Sequence, residues 1–178
     1  KLKFPERELW INVQNGVLKI KADGKTVLEL HERNHYFHYV LPYGYDPKAE
    51  CARFMKYLSE VLPDADTRSV IQEFVGYGLI HDCKAEKMLV LSGPGSNGKS
   101  VLIKCLYEMY GKENVSTESL SDVTTNDEKR RKLEDKLMNF SYESDTKLNN
   151  AVLKQMVSGE PVDIRELYHG SRTMTNYG

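Results

Sequence analysis

Gly93-Pro94-Gly95-Ser96-Asn97-Gly98-Lys99-Ser100 is the stretch on which the reading of this chain turns. Its spacing, Gly-x-x-x-x-Gly-Lys-Ser, has a physical reason at each position. Glycines let successive backbone N–H groups curl around an anion with no Cβ in the way. A helix opening directly after the loop adds its own unbonded N–H groups and the positive end of its dipole. A lysine here reaches the β- and γ-phosphates, and the neighbouring hydroxyl takes a place on Mg²⁺. The loop therefore predicts ATP binding with Mg²⁺ through Gly93, Pro94, Gly95, Ser96, Asn97, Gly98, Lys99 and Ser100, with Val101 next in line.

The surroundings fit that expectation. Met88-Leu89-Val90-Leu91 reads as a short apolar strand running into the loop, and 100–110 as a helix with Val101, Leu102, Cys105, Leu106 and Met109 inward, stopped by Gly111. Further on come a weak strand at 114–117, a charged helix at 128–135, a strand at 137–142 and a helix at 149–157. Segments 162–167 and 172–177 are expected to pair as a hairpin across His169-Gly170. Such alternation predicts an α/β fold, a P-loop ATPase with a three-layer core around a central parallel sheet.

A triphosphatase also needs a carboxylate beside the metal to orient the attacking water. The end of an apolar strand is the place for it, and Glu143 and Asp145 follow Phe140-Ser141-Tyr142. Glu143 is the first candidate, being nearer the strand end, and Asp145 the second. The spacing from Lys99 suggests one strand lying between the loop strand and the acidic one.

Upstream of the loop the pattern differs. Segments 10–14 and 17–20 flank Asn15-Gly16, a two-residue hairpin signal. Asp46 and Pro47 are read as opening a helix with a stripe of Cys51, Phe54, Met55, Leu58, Val61 and Leu62, and Asp66 as capping a second helix. A boundary near 82–86 gives two domains, 1–85 and 86–178.

The 178 residues are 40% hydrophobic and 29% charged, with a net charge of −1, so any nucleic-acid contact must come from a local patch. Three cysteines in no metal-ligand spacing suit a reducing, cytoplasmic setting. No apolar run approaches the roughly 18 residues of a membrane span. The sequence begins at Lys1 and stops in polar, strand-like sequence at Gly178, so both ends are expected to be cuts. His31, His35 and His38 read as structural histidines rather than a zinc site, because nothing completes a ligand set. Lys129-Arg130-Arg131-Lys132 reads as a solvated helix face balanced by neighbouring acids in preference to a DNA contact.

The loop, with Asn97 just before Gly-Lys-Ser, resembles that of the superfamily-3 helicases of viruses and plasmids. The chain is more closely similar to phage and plasmid primase–helicases related to the poxvirus primase-helicase. The likeness runs through 11–18, 45–49, 76–79, the stretch 132–139 leading to Glu143, and 154–162. It implies an AAA+-like motor driven by ATP, assembling as a hexameric ring on single-stranded or forked DNA, in the cytoplasm of a host or bacterium. It implies Lys99 and Ser100 as nucleotide and metal contacts and Glu143 as the acidic residue. It also implies that 154–172 faces the channel, with Lys154, Arg165, His169 and Arg172 as DNA contacts and Tyr168 available for stacking. Glu160 stands where that family often has Asp. The family's asparagine-ended sensor strand should follow shortly after Tyr177, and the arginine a neighbouring subunit usually donates is not identifiable. The motor is thus expected to be C-terminally incomplete, binding ATP but hydrolysing it poorly alone.

Two other classes compete. A small-molecule or nucleotide kinase would need an arginine-rich lid, and none is evident after Val123; a GTPase would need an Asn-Lys-x-Asp motif, which is absent. An ATP-dependent initiator or assembly module without unwinding fits the same residues.

Overall fold

A computed structural model describes residues 9–80, 82–95, 97–142, 147–166 and 170–177. The chain divides into two compact units, Lys1–Ile80 and His81–Gly178.

In the first unit, β1 (Leu9–Val13), β2 (Gly16–Ile20) and β3 (Thr26–Glu29) form an antiparallel sheet in that order. The loop between β1 and β2 is Gln14-Asn15, since Val13 pairs with Gly16. This is one residue earlier than the Asn15-Gly16 turn expected from sequence. The cause is the Asn15 carboxamide. It donates to the Tyr45 carbonyl at 3.0 Å and accepts from the Tyr45 N–H at 2.8 Å, standing in for a peptide group. Gly16 is left in the ladder with φ +149°, where a Cβ would lie 2.2 Å from the Glu29 carbonyl oxygen. Only glycine fits there.

Residues 39–43 return along the outer edge of β1. Leu41 N–H donates to the Asn12 carbonyl, and Gln14 N–H to that of Tyr43, both at 2.9 Å. The edge is thereby covered, as exposed edges generally must be. Rings of Trp10, His35, Phe37 and Tyr39 meet successively edge to face, with centroids 5.2, 6.3 and 5.7 Å apart. The Tyr39 hydroxyl donates to the Leu79 carbonyl at 2.9 Å, and burial pushes its pKa up to about 12. Ile11, Val13, Val17, Leu18, Leu41 and Ile71 are buried in the same unit. His31 donates from Nε2 toward Asn12 Oδ1 (2.9 Å) and the Val13 carbonyl (3.1 Å), a structural role.

Two helices follow, α1 (Ala52–Val61) and α2 (Ala65–Tyr77). Neither uses the cap expected for it. Asp46 accepts from the Lys48 N–H at 2.9 Å and builds a turn, so α1 opens only after Cys51. Asp64 rather than Asp66 caps α2, accepting from the backbone N–H and the hydroxyl of Thr67 at 2.7 and 2.5 Å. Arg68 closes the end of α1 through the Leu62 and Pro63 carbonyls.

In the second unit, 88–91 forms no strand: Met88 is 46% and Val90 71% exposed, and no described strand pairs with them. α3 (Lys99–Tyr110) buries Leu102, Leu106 and Tyr110, one face at i, i+4 and i+8, leaving Val101 outward. β4 (Val115–Ser116) pairs in parallel with β5 (Met138–Asn139). Two further bonds extend that ladder, Leu137 N–H to the Asn114 carbonyl and Phe140 N–H to that of Ser116. Tyr107 and Tyr110 of α3 lie against the Phe140 ring at 6.3 and 6.2 Å.

Between the two strands lies α4 (Leu120–Thr125), a helix not expected from the sequence. Its signal was the Ser119-x-x-Asp122 cap, in which Ser119 Oγ accepts from the Asp122 N–H at 3.1 Å. The charged segment 128–135 forms α5 (Asp127–Arg130) and a 3₁₀ turn (Arg131–Leu133) that buries Leu133. α6 (Asn150–Ser158) is capped by the Asn149 carboxamide and ends at Gly159, where φ is +70°. A Cβ at Gly159 would lie 2.0 Å from the Cys83 sulfur. The hairpin of β6 (Val162–Glu166) and β7 (Gly170–Met174) is antiparallel, pairing Ile164 with Arg172. Its β7 strand thus begins two residues before the 172–177 segment expected. Val123, Leu133, Met156, Val162, Ile164 and Met174 make one buried cluster of this unit. Among the described residues no helix is long and apolar enough to cross a membrane.

Candidate nucleotide-binding loop

Gly98 takes φ +86° and delivers the chain into the first turn of α3. Its carbonyl accepts from the N–H groups of Val101 and Leu102, both at 3.0 Å. No side chain caps this helix start, unlike those of α2, α4, α5 and α6. Gly98, having no side chain, leaves this helix start without a cap from its own N-cap residue, and a helix N-terminus is where a phosphate oxygen is favoured.

The Lys99 side chain folds back over the loop. Its Nζ donates to the Gly93 carbonyl at 2.7 Å, the Pro94 carbonyl at 3.0 Å and Asn97 Oδ1 at 2.9 Å. Three acceptors thus meet the three donors of one ammonium. A Cβ on Gly93 would lie 2.3 Å from Asn97 Nδ2, so the loop closes only with glycine there or with the carboxamide displaced. Gly95 and Ser100 are exposed, and Ser96 lies outside the described residues. The residue types fit a triphosphate and its Mg²⁺: Lys99 would turn the N–H groups now bonded to Gly93, Pro94 and Asn97 toward phosphate oxygens, and the exposed Ser100 hydroxyl would be a metal ligand.

Glu143 and Asp145 also lie outside the described residues. Their flanks are tied to the start of α4. Leu120 N–H donates to Ser141 Oγ at 3.3 Å, and Ser121 Oγ to the Lys147 carbonyl at 3.0 Å. Asn139 knits β5 to the end of β4, accepting from Ser116 Oγ (2.8 Å) and the Glu118 N–H (3.0 Å) and donating to the Glu118 carbonyl (3.0 Å).

The basic run 129–132 is not a single solvated face. Lys132 pairs with Glu118 at 2.7 Å, and Lys129 lies 3.9 Å from the same carboxylate. Arg130 is 5% exposed. Its guanidinium donates to the carbonyls of Val123 (2.7 Å) and Thr124 (3.2 Å) at the end of α4, and to that of Asp163 on β6. The guanidinium so caps α4 and fastens the hairpin to it, a role that the charge run in the sequence did not reveal.

Of the expected DNA contacts, Lys154 is exposed on α6 and Arg165 exposed on β6. Arg172 makes a two-pronged ion pair with Glu134 at 2.5 and 2.6 Å. Register places it opposite Ile164, on the core-facing side, while Arg165 opposes Ser171 on the other face. The hairpin does not present the two arginines together. Tyr168 and His169 lie outside the described residues.

Residues 3–63 match a family model described as D5 N terminal like, and residues 91–178 match one described as a family of unknown function, DUF5906. The chain is also similar to the protein named "Putative primase C962R" in the Warthog/Namibia and Pig/Kenya isolates of African swine fever virus. Each is 26% identical over 169 residues, covering 88% of this chain and 18% of the viral protein. The chain thus spans about a fifth of the length of the curated relatives it matches.

Proposed function

We propose that this segment is the ATP-binding and hydrolysing motor of a replicative DNA helicase of the primase-helicase type, built on a P-loop ATPase core. The observation that carries the reading is the triple bonding of Lys99 Nζ to Gly93, Pro94 and Asn97 ahead of an uncapped helix start. Lys99 holds the β- and γ-phosphates and Ser100 a place on the metal. Mg²⁺, when bound, supplies charge neutralisation across those phosphates. Glu143, with Asp145 as the second candidate, takes the proton of the attacking water. The similarity to a viral protein named as a primase, together with the D5 N terminal like match, supports DNA as the partner. On this reading Lys154 and Arg165 lie nearest the nucleic acid, within a ring of identical subunits.

The test is nucleotide binding and turnover by this protein, with and without single-stranded DNA. Lys99→Ala should abolish MgATP binding. Glu143→Gln should keep binding and lose turnover, and single-stranded DNA should raise the rate of the unsubstituted protein. Phosphate transfer to a small acceptor, or turnover indifferent to both substitutions, would overturn the reading.

A further inference from the structure

The Lys99 ammonium has two kinds of acceptor. The Gly93 and Pro94 carbonyls are backbone groups fixed by the loop path. The third, Asn97 Oδ1, belongs to a side chain two residues before the lysine. We propose that Asn97 is a positioning residue that holds Lys99 aimed across the loop mouth before nucleotide arrives. This rests on the phosphate-loop reading and adds to it a residue with a distinct task.

Three observations support the assignment. The carboxamide lies between the two residues: its oxygen accepts from Lys99 Nζ at 2.9 Å, and its nitrogen occupies the space that a side chain at position 93 would take. Gly93 has no positive φ, so its backbone does not itself demand glycine. What excludes a larger residue there is the Asn97 Nδ2 atom, 2.3 Å from a built Cβ, the next atoms being Lys99 Nζ at 3.5 Å and Asn97 Cγ at 3.6 Å. Gly93 and Asn97 therefore act as one unit on Lys99. Finally, the chemistry suits an amide. A lysine side chain has four rotatable bonds, and fixing it beforehand removes an ordering cost from ligand binding. A neutral carbonyl oxygen can do this without cancelling the charge that phosphate must meet, whereas a carboxylate would compete with the phosphate for it.

The test uses the chain as it stands, with MgATP as the probe and two readouts. Asn97→Ala should weaken MgATP binding about tenfold, the loss expected for one hydrogen bond to a charged group. Asn97→Asp, the same shape with a charge, should bind more weakly still at neutral pH and recover as pH falls through the carboxylate range. A purely structural role would give a pH-independent loss. Gly93→Ala should match Asn97→Ala, and the double variant should be no worse than either single one. Without nucleotide, labelling of Lys99 by an amine-reactive reagent, read by mass spectrometry, should speed up in Asn97→Ala and slow in Asn97→Asp. Unchanged binding in both Asn97 variants, additive losses in the double variant, or unchanged labelling would overturn the assignment. A wild-type chain that binds no MgATP would instead overturn the phosphate-loop reading, and the labelling would still judge the hold of Asn97 on Lys99.

Discussion

Arg172 and Glu134 stand 38 residues apart and meet through two parallel hydrogen bonds, fastening β7 to the residue that ends the 3₁₀ turn after α5. The guanidinium holds the Glu134 carboxyl below its ordinary range, chiefly by hydrogen bonding. A depressed carboxylate contributes stability that is present above its unfolded pKa and is lost as pH falls through the folded one. The pair is partly exposed, so its worth is under about 1 kcal/mol. Titration of Glu134 by NMR should therefore show a midpoint below that of an ordinary glutamate, moving back up in Arg172→Ala. An unmoved midpoint would mean that the pair does not persist in solution.

Arg130 should matter far more. Removing its guanidinium strands the carbonyls of Val123 and Thr124 in the interior and releases that of Asp163 on β6. Arg130→Met is expected to destabilise the second unit by about 2–4 kcal/mol, measured as the shift in urea midpoint. Arg130→Lys should recover only part of this, because an ammonium cannot span the positions reached by a planar fork.

Gly16→Ala tests the displaced hairpin loop. The new methyl would meet the Glu29 carbonyl oxygen at 2.2 Å in a backbone conformation that suits only glycine. A loss of about 2 kcal/mol or more is expected. The single tryptophan, Trp10, lies on β1 and reports on that sheet by its fluorescence. A wild-type melting curve would show that the loop is not where the register puts it.

Tyr39 sets an alkaline limit. Its phenol, buried and bonded to Leu79, is pushed up to about 12, so the folded state favours the neutral form. The associated stability is intact below the unfolded pKa of about 10 and is lost as pH rises from there through about 12. Tyr39→Phe should cost about 1 kcal/mol at neutral pH and flatten the decline between those pH values, as read by thermal melts.

What the sequence made legible was local. The Gly93–Ser100 loop lies within eight consecutive residues, and the Lys99 bonds that close it reach back no more than six positions. The α6 helix and the hairpin after it were visible from short-range apolar patterning for the same reason, although β7 begins two residues before the 172–177 segment expected. Choices between equivalent residues were not. Asp64 and Asp66 can each cap a helix, and Thr67, three residues after Asp64, decides for the former by offering both a backbone and a hydroxyl donor. The fate of Arg130 was illegible because the acceptor on β6 is 33 residues away, while its neighbours Lys129 and Lys132 turn to the Glu118 carboxylate instead. The 88–91 segment has a strand's composition, yet composition supplies no pairing partner. Pairing rather than propensity makes a strand.

The Asn15 carboxamide has a kinetic consequence. It joins the first sheet to Tyr45 across 30 residues, whereas the three strands of that sheet follow one another through short turns. Closing the longer loop carries the larger entropic barrier, so the meander should form early and the 39–45 return segment dock afterwards. Asn15 then acts as the catch for that later step. Replacing it should leave the speed of sheet formation nearly untouched and let the return segment peel away sooner, seen as faster unfolding with little change in the folding rate.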